Sequence, residues 1–193
     1  YYDLQERDNL TSILKYEGPA EPVGAGGFSN QLVYKNLSLN ILLSFKYGYK
    51  IRLDDAYSPT YTDFSSFPQE FVNRWVVNGD ELVTNIPSIL DFKTAYGNNP
   101  DYLSAYDLYN KSDLRVANGD YIRLKTIRLS YQLPSNLSGK FGSEHTTISL
   151  EAQNMALLYS DSRLNGQDPE FFASGGVALP QPRQFTLSLN VRF

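Results

Sequence analysis

The sequence predicts an all-β fold: a five-strand, C-terminal segment of a larger antiparallel transmembrane β-barrel with long loops on its extracellular side. Three observations carry that expectation. From Phe185 onward every odd position is apolar and every even one polar, and the row ends on Phe193. A longer alternation runs Leu37, Leu39, Ile41, Leu43, Phe45, Tyr47, Tyr49 and Ile51, exceeding the usual globular strand. Between such runs the connections alternate short and long, as barrels do when periplasmic turns are tight and extracellular loops extended.

Taken in order, residues 1–27 are expected to be an extracellular loop segment and 28–193 the barrel part, with strands at 28–34, 37–51, 121–133, 146–158 and 183–193. The first two form a hairpin through Tyr34-Lys35-Asn36, and Tyr47 and Tyr49 fall at one end of the second as an aromatic girdle would. A long extracellular loop spans 52–119; a structureless connection of that length is rare in a compact soluble domain. In the third strand Ile127, Leu129, Tyr131 and Leu133 alternate well, but upstream Arg123 and Lys125 occupy the apolar phase while Ile122 and Leu124 leave it. A bulge, or a position above the bilayer, accounts for that slip. The fourth strand places Ile148, Leu150 and Ala152 on one face, and the link at 134–145 before it is expected to be periplasmic. Five strands cannot close a barrel, and open edges in hydrocarbon leave backbone groups unsatisfied. More chain is therefore expected upstream, where the sequence also shows neither an initiator Met nor a signal peptide.

Composition narrows the function. Of 193 residues 15 are Tyr and 11 Phe, which favours β-structure, while Cys is absent. No disulfide scaffold, thiolate metal site or cysteine nucleophile is available. A net charge of −4 with scattered basic residues argues against nucleic acid as a partner. No apolar run approaches the roughly 18 residues of a helical span, whereas a barrel strand needs only about 9 to 11 alternating ones.

Catalysis finds little support and no cofactor is implied. The single His145 sits beside the 134–145 link, with no histidine cluster and no Ser/His/Asp arrangement. Asp54, Asp55, Asp63 and Asp80 offer hard oxygens, but without the spacing of a calcium loop, so solvated loop charges are the preferred reading and no metal site is assigned. The long loop is rich in rings, among them Tyr57, Tyr61, Trp75, Tyr102 and Tyr106. These are the candidates for ligand or lid contact, set against packing of the loop on itself. Residues 100–111 place Tyr102, Leu103, Tyr106 and Tyr109 at helical spacing. Asp168-Pro169-Glu170 reads as a turn.

With these residues in hand, the chain resembles the C-terminal portion of the SusC/RagA family of TonB-dependent outer-membrane transporters of Bacteroidetes-type bacteria. Gly26-Gly27-Phe28-Ser29-Asn30 with Tyr34-Lys35-Asn36-Leu37 is similar to that family's GGFSN hairpin, and Asn73-Arg74-Trp75 with Asn78-Gly79-Asp80 to its RW-x-x-PGD segment, Asn78 replacing the usual Pro. Tyr121-Ile122-Arg123-Leu124-Lys125, Gln153-Asn154-Met155, Asp168-Pro169-Glu170 and Pro180-Gln181-Pro182-Arg183-Gln184-Phe185 follow in family order, with Leu179 in place of an aromatic. Phe185, Leu187, Leu189, Val191 and Phe193 resemble the terminal signal read by the barrel assembly machinery. The resemblance implies a barrel of about 22 strands, wide enough to need a plug. It implies residence among outer-membrane lipids, a SusD-like lipoprotein partner, contact with the TonB complex through an upstream plug, and import of an oligosaccharide or peptide substrate. An outer-membrane receptor or adhesin-type barrel, and a soluble β-rich carbohydrate-binding module, are the competing functions.

Overall fold

Apolar residues at alternate positions suit a pleated strand with two different faces, and five stretches that carry this pattern over part or all of their length form one antiparallel sheet: β1 (Gly24–Tyr34), β2 (Leu37–Tyr47), β5 (Tyr121–Gln132), β6 (His145–Tyr159) and β7 (Gln184–Arg192), hydrogen-bonded in the order β1-β2-β5-β6-β7. A computed structural model describes residues 13–56, 64, 66–89, 101–172 and 182–193, without the side chains of 101–105, 141 and 172. Two compact units emerge: Tyr1–Ala20 with Lys50–Ala117, and Glu21–Tyr49 with Asn118–Phe193. The second unit carries the large sheet. The first carries a small sheet of β3 (Lys50–Arg52) and β4 (Val116–Asn118) together with helix α1 (Asp101–Lys111).

Alternation in the second unit sorts the side chains onto two faces. Leu32, Leu39, Leu129, Leu150 and Leu187 lie opposite one another across all five strands, and the next row is Tyr34, Leu37, Tyr131, Ile148 and Leu189. One pleat away stand Ser38, Ser130, Ser149 and Ser188, then Asn40, Arg128, Glu151 and Thr186. Val33 and Leu42 are apolar exceptions on that polar face.

The slip foreseen in the third strand is a β-bulge. Leu43 pairs with Leu124 while Leu42 pairs with Thr126, so Lys125 is the extra residue. Upstream of it the phase is reset: Ile122 and Leu124 join the apolar rows, and Arg123 faces the polar side opposite Ser44.

Strand limits differ from the sequence reading where glycine governs. β1 begins at Gly24 and not at 28, because Gly24-Ala25-Gly26-Gly27 pairs fully with Tyr47 through Ser44 although it has no alternation to betray it. The run 37–51 is not one strand. Gly48 adopts φ 80°, its N–H donates to Asp120 Oδ1 at 2.7 Å and not into the ladder, and the chain leaves the large sheet there. The tight hairpin turn has Lys35 at φ 51°. The 134–145 link folds as a short helix α2 (Ser135–Ser138) and a 3-10 turn, closed by Ser143 Oγ donating to the Ser138 carbonyl at 3.0 Å.

A methyl group at Gly48 would approach Val23 Cβ to 2.8 Å in addition to forcing a left-handed L-residue. Gly48→Ala is expected to destabilise the folded protein by about 1–2 kcal/mol, read as a lowered midpoint in urea unfolding.

Candidate functional site

Two polar clusters lie on the second unit, and each follows from where its strand phase places it. Arg123, 5% exposed, pairs with Asp168, 8% exposed, and its Nε lies 3.4 Å from Glu170 Oε2. The guanidinium also sits 5.7 Å from the centre of the Tyr121 ring, two residues back on the same face of β5. Asp168-Pro169-Glu170 is not a simple turn. Asp168 Oδ1 accepts the Glu170 N–H at 3.0 Å and Pro169 opens the short helix α3 (Pro169–Phe172), the place where a missing proline N–H costs nothing. One carboxylate thus caps a helix and neutralises a buried arginine of the wall.

At the end of β6, Asp161 accepts the Asn118 N–H at 2.7 Å and the Arg163 N–H at 2.9 Å, and its side chain meets the Arg163 guanidinium at 2.7 Å. The hydrogen bond from Arg163 and these backbone amides hold its carboxyl down at about 2. Lower on the polar face, Ser149 Oγ donates to Ser130 Oγ at 2.9 Å and Arg128 lies 3.8 Å from Glu151. This face is hydrogen-bonded and charged, and it suits water or another polar surface.

In the first unit the ring-rich loop is packed around Ala56, Phe71 and Tyr106, with Phe67, Ile86, Ile89 and Tyr109 against them. Helix α1 falls where the tyrosine spacing put it. Tyr106, at 6% exposure, is a core residue whose hydroxyl donates to the Ser88 carbonyl, so burial accounts for it. Arg115 is equally buried and ties three segments together, reaching the Glu70 carboxylate, the Asp54 carbonyl and the face of Tyr109 at 5.8 Å. Sequence reasoning passed over it; a lone Arg between Leu114 and Val116 gave no signal. Trp75 is 39% exposed, and its indole N–H donates to the Val77 carbonyl at 2.6 Å. Asp80 Oδ2 accepts the N–H groups of Val77 and Val76 at 3.0 and 2.9 Å, which lowers its carboxyl below the usual range. It is therefore a turn-forming residue. Tyr57, Tyr61 and Asp63 lie outside the described residues, and of Tyr102 only the helical backbone is described. Among the described residues no three His, Cys, Asp or Glu side chains gather as a metal would require.

Phe185, Leu187, Leu189 and Val191 stand on the apolar face of β7 opposite Ala152, Leu150, Ile148 and Thr146, and Phe193 follows the strand. Leu187 is 74% exposed although it lies in the row of leucines. Apolar rows left open along a whole face, backed by a polar face, define the wall of a transmembrane β-barrel.

No protein-family model matches the chain. TonB-dependent receptor P26 of Formosa agariphila is 32% identical over 180 residues, covering 86% of this chain and 16% of that protein. TonB-dependent receptor P3 of the same organism is 25% identical over 196 residues, covering 95% and 18%. The chain belongs to the TonB-dependent receptors and spans less than a fifth of the length of these relatives. Its fold is that of part of a chain in the RagAB peptide importer: the open-open state aligns with a TM-score of 0.62 at 22% identity, over 93% of this chain and 18% of that one, and the closed-closed state with 0.63 at 21%, over 92% and 18%.

Two outcomes test these clusters. Arg123→Ala leaves Asp168 buried without its cation and is expected to cost about 3–5 kcal/mol, seen as a lower unfolding midpoint and faster protease cleavage after Tyr159. Because the Asp161 carboxyl is held below its unfolded value of 3.8, its contribution is full above that pH and is lost as pH falls toward about 2. Protection of the Asn118 and Arg163 amides, measured relative to their intrinsic exchange rates, should fall across that window, and Asp161→Asn should remove that fall.

Proposed function

We propose that this chain is the C-terminal part of the barrel wall of an outer-membrane transporter that imports glycans or peptides. The observation that supports it most directly is the two-faced sheet: leucine and isoleucine rows on the side that would meet hydrocarbon, and serines with an Arg128–Glu151 pair on the side that would line the lumen. Its edge strands β1 and β7 each have one row of backbone groups without a partner strand among the described residues, and in a membrane those groups would be taken up by further strands of a closed barrel of about 22.

In this reading residues 52–119 form a folded extracellular loop and 134–145 a periplasmic turn. Substrate passes the wall without covalent change, so no residue here acts as acid, base or nucleophile. Uptake would be driven by the TonB complex through a plug encoded upstream. A SusD-like surface lipoprotein would cover the barrel, with the Trp75 turn among the places where a lid or ligand could touch the loop. Peptide is favoured as one cargo class by likeness to an importer of peptides; the polar wall itself serves glycan equally. Phe185, Leu187, Leu189, Val191 and Phe193 would act earlier, as the strand handed to the barrel assembly machinery.

The test is a pair of substitutions that differ only in face. Leu129→Arg should destabilise the assembled barrel by about 2–4 kcal/mol if it lies near the bilayer midplane, while Ser130→Arg leaves insertion intact. Equal tolerance of both, or recovery of the native protein as a soluble species without detergent, would overturn the proposal. Affinity isolation from detergent-extracted membranes should recover a surface lipoprotein together with this chain.

A further inference from the structure

At the end of the large sheet where β2 gives way to Gly48, the apolar face is not flush. Gly26, Phe45, Ile122 and Tyr159 form one cross-strand row there, with Gly24 opposite Tyr47 beyond it. The two glycines decide how the rings lie. A Cβ at Gly26 would be 2.7 Å from Phe45 Cζ, and one at Gly24 2.5 Å from Tyr47 Cζ. Both rings therefore lie down across β1, over backbone that carries no side chain, with centroids 6.4 Å apart and planes 26° from parallel. Leaning that way they vacate the space toward β5. A hollow of about 220 Å³ is left there, lined by Phe45, Tyr47, Ile122 and Tyr159 and, from neighbouring positions, by Lys46, Asp120 and Tyr121.

We propose that this hollow seats the acyl chain of one membrane lipid, an inference that rests on the barrel-wall reading above. Its opening is on the same face as the rows Phe28, Leu43, Leu124, Ala156 and Leu32, Leu39, Leu129, Leu150, so whatever covers those rows also covers the hollow. It is walled by β2, β5 and β6, the three central strands, and strands added at β1 or β7 to close a barrel would lie to either side and leave it open. The walls on this face are ring and branched carbon, while Lys46 and Tyr121, paired one position along from Phe45 and Ile122, belong to the other side of the sheet. The carboxylate at its margin, Asp120, is already occupied by the Gly48 N–H at 2.7 Å and the Asn118 amide at 3.1 Å, so nothing within invites a sugar or a peptide backbone. Tyr47 and Tyr159 stand half-exposed at the rim, the level at which amphipathic rings meet headgroups. An acyl chain gains there the dispersion contacts that a flat wall does not offer.

The experiment uses the complete transporter, purified in mild detergent, stripped of lipid and titrated with dioleoyl phosphatidylethanolamine under native mass spectrometry. Gly26→Ala stands Phe45 up into the hollow from one side, and Ile122→Trp fills it from the other while keeping an apolar residue on the lipid face. Each is expected to weaken retention of one tightly held lipid by about tenfold, leaving the loosely bound population unchanged. Should Gly26→Ala disturb folding, Ile122→Trp carries the test alone. Folded, membrane-inserted variants that retain lipid as the parent does would overturn the hollow and leave the barrel intact. A chain that never enters the membrane fraction would overturn the barrel reading and this one with it. Retention of detergent only, with no lipid held more tightly than the rest, would also overturn it.

Discussion

A backbone amide in hydrocarbon has no water to turn to, and leaving one unpaired costs several kcal/mol. The ladder β1-β2-β5-β6-β7 meets that demand with neighbouring strands, and the side chains are then free to answer to their two surroundings. Apolar rows and serine rows are a consequence of keeping the ladder in register, since a shift by one residue would exchange the faces wholesale. The same constraint explains why polar devices gather where the ladder stops. Gly48 leaves the sheet to reach Asp120, and Asp161 receives the Asn118 amide just past the end of β6, so that backbone groups without a strand partner find a carboxylate.

Among the described residues, buried charge appears only where it is answered. Arg123 sits on the polar side of the wall with Asp168 and Glu170, and Arg115 at the heart of the loop unit with Glu70 and a carbonyl. Such pairs are poor sources of net stability, because desolvation offsets much of the attraction. What they supply is position. Loss of either guanidinium leaves a carboxylate that cannot remain where it is, so each arginine fixes the segment that carries its partner: α3 in one case, the 3-10 turn at Gln69–Asn73 in the other.

Much of this was legible in the sequence, because period-two alternation is a direct record of a surface with two solvents. Leu37 to Phe45, Ile127 to Tyr131 and Phe185 to Val191 announced their strands. Cations at Arg123 and Lys125 announced the bulge by breaking the rule. Where side chains are absent the record is silent, which is why Gly24-Ala25-Gly26-Gly27 was not read as strand and why Gly48 was hidden between Tyr47 and Tyr49, whose phase runs on unbroken. Loop chemistry was least legible. Tyr106 and Trp75 look alike as exposed-loop rings in a linear reading, yet one is core and the other half open, and nothing in spacing separates them. Of the residues that organise the loop, Asp80 acts through backbone amides and Arg115 through a backbone carbonyl as well as the distant Glu70, partners that a linear reading does not record.

The bulge at Lys125 lets the two halves of β5 run in opposite sequence phase while presenting the same two faces. Any side chain there alters one position. Removing the residue would place Leu124 directly before Thr126 and make Leu43–Leu124 and Leu42–Thr126 successive pairs, so Arg123 would stay on the polar side. Losing a paired residue downstream with the bulge kept would instead exchange the faces of everything before it and strand Asp168. Insertions and deletions in barrel strands are ordinarily judged by where they fall along the membrane. Here the harm would depend on whether the residue lost is paired or bulged, and that decides whether Asp168, 45 residues from Arg123 in the chain, keeps its cation.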